Sequence, residues 1–253
     1  MRITALMPSP PEMARRLIGL VDLTTLNESD DDATVRELAR WSHTAAGRVA
    51  AFCTWTRLVP AARQALGEPA IKLAAVANFP EGAADAAAAA QETAEAIAAG
   101  ADEVDLVFPY RALLGGRPES GLELVAACRR VCGERTLLKV ILETGQLSRT
   151  QIRQAADIAV EGGAQFLKTS TGKTQPGAKP EAAAVLLDAI AAAARRGRTV
   201  GLKVSGGIRS LAQAVEYLDL YERRFGEGSA QSTSFRIGAS ALLKELVSQA
   251  GPG

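Results

Sequence analysis

Histidine is almost missing: His43 is the only one in 253 residues. A Ser-His-Asp triad or a multi-histidine zinc site therefore has almost no material to draw on. Acid–base chemistry, if there is any, falls to carboxylates, amines and hydroxyls. Cysteine is scarce as well. Three cysteines in a chain of this length do not make a disulfide framework and suit a reducing, cytoplasmic setting. Cys128 and Cys132 sit four apart in a helical pattern with no second pair after them, so they read as small core residues and not as a metal site. Charge imbalance is missing too. A formal net charge of +1 offers no bulk field for nucleic acid or an anionic membrane. No run of about 18 uncharged apolar residues occurs, so no membrane-spanning segment is expected. Residues 1–11 hold three prolines and no apolar run, which is not the pattern of a signal peptide.

The chain is 47% hydrophobic and 23% charged, the composition of a soluble protein with ample core. Short apolar, β-branched runs begin near Leu17, Arg48, Ile71, Ala101, Thr136, Ala164, Thr199 and Ser234. They recur about every 31 residues, close to one βα unit each. Between them lie amphipathic helical patterns at 32–46, 59–66, 83–99, 121–131, 148–161, 181–196, 211–225 and 241–249, the first of which takes in His43. Continuously apolar strands alternating with helices predict a parallel sheet buried on both faces. Eight such units in about 250 residues predict a single-domain (β/α)8 TIM barrel over 1–253. Residues 1–12 would be an N-terminal extension and 249–253 a short tail.

Chemistry in this architecture gathers where the strands end. Polar residues inside the strand-like runs are Asp22, Cys53, Asn78, Asp105, Lys139 with Glu143, Lys168 and Lys203. Lysine usage sharpens the list. There are seven lysines among 29 basic residues, so surface positive charge is left mainly to arginine, yet Lys72, Lys139, Lys168 and Lys203 fall within apolar strands. A charged group costs most there, and an amine, unlike a guanidinium, can be driven neutral. Lys72 opens its run and is expected at the lower rim, paired and structural. Lys139 and Glu143 share a face by the period of two and are expected to pair. Lys168 and Lys203 end neighbouring strands, where mutual repulsion would leave one amine neutral and ready to capture a carbonyl. Asp105 can face the same lumen.

Glycine-rich turns follow strands six to eight: Thr171-Gly172-Lys173, Ser205-Gly206-Gly207 and Gly238-Ala239-Ser240. Backbone N–H groups and helix N-termini gathered on one side predict a phosphate-bearing substrate. Thr171-Gly172-Lys173-Thr174 lacks the first glycine of a P-loop at the required spacing, which argues against nucleoside triphosphate binding.

The segments Val21-Asp22-Leu23-Thr24-Thr25-Leu26, Asp102-Glu103-Val104-Asp105-Leu106-Val107-Phe108-Pro109-Tyr110-Arg111, Leu138-Lys139-Val140-Ile141-Leu142-Glu143-Thr144-Gly145, Phe166-Leu167-Lys168-Thr169-Ser170-Thr171-Gly172-Lys173 and Phe235-Arg236-Ile237-Gly238-Ala239-Ser240 together resemble the deoxyribose-phosphate aldolases, a class I, Schiff-base family. The resemblance covers nearly the whole chain. It implies that Lys168 forms the imine, that Lys203 perturbs it, and that Asp105 with a water shuttles protons. It further implies that Asp22, Thr24 and Cys53 line or adjoin the site. Thr171, Gly172, Lys173, Gly206, Gly207, Gly238 and Ser240 would hold a phosphosugar, with no metal or other cofactor, and the assembly would be a homodimer. Three departures stand out. Val204 replaces an alanine common between the lysine and the serine, Ala241 stands where a second serine would donate to phosphate, and the tail carries no terminal tyrosine. Other readings are a different Schiff-base aldolase or transaldolase, or a silent phosphosugar-binding barrel.

Overall fold

The computed structural model describes residues 9–67 and 70–251. Eight parallel strands close into a barrel: β1 (Val21–Thr24), β2 (Ala51–Thr54), β3 (Lys72–Ala77), β4 (Glu103–Val107), β5 (Leu137–Ile141), β6 (Phe166–Lys168), β7 (Gly201–Ser205) and β8 (Phe235–Ala239). Each pairs with its neighbours in chain order, and β8 returns to β1 in the register Asp22↔Gly238. The helices are α1 (Pro10–Ile18), α2 (Asp32–Arg40), α3 (Val59–Leu66), α4 (Ala86–Ala98), α5 (Tyr110–Leu114), α6 (Glu119–Cys132), α7 (Arg149–Glu161), α8 (Pro180–Ala194), α9 (Leu211–Phe225) and α10 (Leu242–Ala250). This is the expected single-domain (β/α)8 TIM barrel. Seven strand runs lie close to where the sequence places them; the first begins at Val21, because Leu17 and Ile18 are the last turn of α1.

Side chains two apart share one face of a strand. The outward set, including Phe52, Leu73, Leu106, Val140, Leu167, Leu202 and Ile237, is buried under the helices and forms one continuous core with them. Each such side chain contributes about 1.5–3 kcal/mol by leaving water. Side chains of Asp31, Asp85, Ser148 and Ser210 accept backbone N–H groups at the starts of α2, α4, α7 and α9. These caps fix how each loop enters its helix.

Four local expectations need correction. Part of the supposed N-terminal extension is helix α1, which packs on α10, with Arg15 donating to the Ala250 carbonyl at 2.8 Å; residues 1–8 lie outside the described residues, as do 252–253 of the tail. Pro10 and Pro11 suit a first helical turn, whose N–H groups need no partner, and Glu12 accepts from the Ser9 N–H at 2.8 Å. Second, α2 stops at Arg40. The Thr44 hydroxyl donates to the Gly47 carbonyl at 2.7 Å and folds the chain into a two-stranded ribbon that holds His43, exposed and not helical. Third, Lys72 is exposed and has no ion-pair partner among the described residues. Fourth, Lys139 and Glu143 do not pair. Strand β5 ends at Ile141, and Glu143 takes φ 52°, which turns its side chain off the strand's face.

Candidate active site

The inward strand positions carry charge where a barrel of this kind ordinarily packs aliphatic side chains. Arg236 on β8 donates to Asp22 of β1 at 2.6 Å and to Glu103 of β4 at 3.0 Å, the second contact crossing the lumen. Asp22 Oδ2 lies 2.6 Å from Lys203 Nζ on β7. Lys203 bonds Asp105 Oδ2 at 2.8 Å, Asp105 Oδ1 bonds Lys139 of β5 at 2.8 Å, and Lys139 reaches Glu103 Oε2 at 2.5 Å. The chain of ion pairs is thus a closed ring of alternating sign: Arg236, Asp22, Lys203, Asp105, Lys139, Glu103. All six side chains are buried. Pairing is what makes such burial tolerable, because an unmatched ion there would cost several kcal/mol.

Lys168 is a seventh member, hung on the ring at one point. Its Nζ donates to Asp105 Oδ2 at 2.7 Å, the same oxygen that holds Lys203. The two amines therefore sit on one carboxylate oxygen, side by side, in the register Lys168↔Lys203. Within the ring three cations meet three carboxylates; Lys168 is the cation left over. Burial lowers the pKa of its amine, with the Lys203 ammonium adding to the effect and Asp105 opposing it. Burial would also lower Lys203, but Asp105 and Asp22 outweigh it and hold Lys203 well above the usual lysine range. Asp105, despite burial, is held well below the usual carboxylate range by Lys139, Lys168 and Lys203.

Above the ring, where the strands end, lies a cavity of about 370 Å³. Thr24, Lys168, Thr171, Gly172, Lys173, Gly206, Gly207, Gly238 and Ser240 all line it, as do Ser205 and Arg209. Asp22 and Cys53 lie deeper: both are fully buried, Asp22 in the ring and Cys53 against Leu26, Ala74 and Val76. Burial, reinforced by Asp105, pushes the Cys53 thiol up to about 11. The Thr24 hydroxyl donates to the Asp22 carbonyl at 2.9 Å.

Two glycines on this rim are explained by close approach. A Cβ at Gly238 would stand 2.9 Å from Lys203 Cε, so the missing side chain makes room for the lysine stem. Gly206, at φ 97°, lies under Gly177, whose Cβ would come within 2.4 Å of the Gly206 carbonyl oxygen. The loops after β6 and β7 interlock there, with Ala178 N–H donating to Gly206 O at 3.0 Å. Glu143, freed from Lys139, accepts from the Thr171 hydroxyl at 2.5 Å, and Thr171 Oγ1 accepts the Lys173 N–H at 3.0 Å. From that anchored loop Lys173 Nζ reaches the Leu26 carbonyl at 2.6 Å, across the cavity mouth.

Sequence reasoning misses the lower half of the ring. Arg236 and Glu103 sit inside quoted motifs without a role, although a charged residue near the start of an apolar strand is the same signal that exposed the lysines. Asn78 proves structural: its amide donates to the Ala83 and Val107 carbonyls at 2.9 and 3.0 Å. Among the described residues no helix is long and apolar enough to cross a membrane.

Residues 16–243 match the family described as DeoC/LacD family aldolase. The structure is similar to a proposed deoxyribose-phosphate aldolase from Toxoplasma gondii ME49 (TM-score 0.87, 25% identity, 95% of this chain and 94% of that one). It is similar to another from Coccidioides immitis (TM-score 0.80, 27% identity, 96% and 90%). A tetrameric deoxyribose phosphate aldolase from Aeropyrum pernix matches at TM-score 0.74 and 25% identity, over 97% and 94% of the two chains. With a family match over most of its length and a lysine-rich barrel beneath a glycine-rimmed cavity, this chain belongs to the DeoC/LacD aldolase family.

Proposed function

We propose that the protein is a class I aldolase that cleaves 2-deoxy-D-ribose 5-phosphate reversibly to acetaldehyde and D-glyceraldehyde 3-phosphate through a Schiff base on Lys168. The observation that carries this reading is the single amine left over beside a balanced ring, facing a cavity whose rim is built from glycines and a lysine.

The neutral Lys168 amine adds to the C1 aldehyde, and the carbinolamine loses water to give a protonated imine. Lys203, kept cationic at its side, favours the free amine beforehand. Asp105, kept ionised, stabilises the iminium charge that follows. A base takes the proton of the C3 hydroxyl, the C2–C3 bond breaks, and its electron pair flows to the iminium nitrogen. Glyceraldehyde 3-phosphate leaves. The enamine takes a proton at C2, and water hydrolyses the resulting imine to acetaldehyde and the free lysine. Asp105 is too weakly basic to hold these protons at rest, so a water on its carboxylate serves as the relay. Lys173, Ser240 and the N–H groups near Gly172, Gly206, Gly207 and Gly238 would hold the phosphate. The relative from Aeropyrum pernix is a tetramer; for this chain we propose a homodimer or higher oligomer in the cytoplasm.

The test is turnover itself. 2-Deoxyribose 5-phosphate should yield both aldehydes in equal amounts, and ribose 5-phosphate should yield far less. Cleavage of a different phosphosugar in its place would support the wider aldolase or transaldolase reading, and binding without turnover the silent barrel.

A further inference from the structure

The ring is closed at the end away from the cavity by two side chains that touch neither Lys168 nor the cavity. Glu103 opens β4 and Arg236 is the second residue of β8. Arg236 is the only buried arginine among the described residues. It is fixed on four sides, by Asp22, Glu103, the Ser232 carbonyl and the face of Phe166, whose ring centre lies 5.9 Å from its guanidinium carbon. That is a great deal of order for a group with no partner in the cavity.

We propose that Arg236 and Glu103 are positioning residues that decide, through the ring, whether Lys168 carries a proton. Two routes lead from this pair to Asp105, one through Asp22 and Lys203 and one through Lys139, and the two touch where Lys139 Nζ stands 3.7 Å from Asp22 Oδ2. Among the described residues, Asp105 is the only carboxylate bonded to Lys168. The share of Asp105 that Lys168 receives therefore depends on how well Lys203 and Lys139 are satisfied elsewhere. With Glu103 neutral, Lys139 leans harder on Asp105 and Lys168 loses hold of its proton. Without the Arg236 charge, Asp22 and Glu103 turn more fully to Lys203 and Lys139, which release Asp105 to Lys168. Direct field effects act in the same two directions. Among the described residues, the charged or titratable groups nearest Lys168 are Asp105 of β4, Lys203 of β7 and Cys53 of β2, with Lys139 of β5 and Asp22 of β1 behind them; Lys173 and Arg209, on the loops after β6 and β7, share its cavity. Glu143, at the end of β5, is taken by Thr171.

The inference deepens the Schiff-base reading, which gives Lys168 its purpose, but its test does not require turnover. Acetic anhydride labelling of Lys168 across pH, read by mass spectrometry against exposed Lys244, reports the free amine directly. Relative to the unaltered protein, Glu103→Gln should move the onset of labelling to lower pH and Arg236→Met to higher pH, each by roughly one pH unit. The double variant should fall back near the starting value, and Arg236→Lys should leave the onset where it was. A pair that only braces the barrel would give two less stable proteins with unmoved onsets, or onsets moved in the same direction; either result overturns the proposal. If Arg236→Met does not fold, Glu103→Gln decides alone, and an onset that fails to fall counts against us. Failure of the aldolase reading shows separately, as absence of an acetaldehyde adduct in the unaltered protein, and leaves the labelling result intact.

Discussion

The ring inside the barrel and the rim above it are built from opposite materials. The ring is made of long charged side chains rooted in strands, buried and held by one another. The rim is made of glycines, short hydroxyls and backbone N–H groups in loops, much of it exposed at Gly172, Gly207 and Ser240. Strands fix an amine to within a fraction of an ångström, and burial makes each charge felt by its neighbours. Loops supply many weak donors to an anion that keeps much of its water. On the proposed Schiff-base reading, the difference gives the covalent chemistry to the ring and substrate affinity to the rim. Variants should therefore separate rate and pH dependence from KM.

The largest break comes at Lys168. Lys168→Met should lower the turnover number by roughly 10⁴-fold or more, since among the described residues the one other amine lining the cavity is that of the loop residue Lys173; steady-state rates with 2-deoxyribose 5-phosphate measure it. Next is Lys203→Leu, which opens the ring between Asp22 and Asp105. It should cost roughly 3–5 kcal/mol of folding stability in urea titration, because two buried carboxylates each lose a partner. It should also move the pH optimum upward, since Lys168 then keeps its proton to higher pH. An unchanged acidic limb would contradict the shared-oxygen geometry. On the rim, Lys173→Met removes one charged donor, worth about 1.5–3 kcal/mol if it meets phosphate. KM for the phosphorylated sugar should rise by about ten- to a hundredfold, with kcat little changed and unphosphorylated deoxyribose unaffected. The smallest effect belongs to Cys53. With its thiol pushed up to about 11, iodoacetamide at pH 8 should label it slowly, and Cys53→Ala should change kcat/KM by less than about threefold.

Most of the barrel is legible because buried parallel strands are short apolar runs at a steady interval, and the amphipathic stretches between them point to only one layer arrangement. What escapes is local. Pro10 and Pro11 look like breakers, although the first turn of a helix is where proline fits best. The stretch around His43 keeps a helical pattern of apolar residues, but Thr44 and Gly47 close a ribbon that periodicity does not register. In the site, the lysines stand out because they are rare in this chain and sit where charge is costly. Arg236 is hidden by the opposite circumstance: 22 of the 29 basic residues are arginines, so one more draws no notice, and its partners lie on strands far away in sequence. Glu143 misleads because a period of two holds only while the strand lasts, and β5 ends two residues earlier.

Borohydride reduction in the presence of acetaldehyde decides whether Lys168 is the amine that reacts. One ethyl group per chain is expected, located by peptide mass spectrometry on Lys168, and none on Lys203 or Lys139, whose amines the ring keeps charged. An unmodified protein, or an ethyl group on Lys203 in place of Lys168, would contradict that assignment.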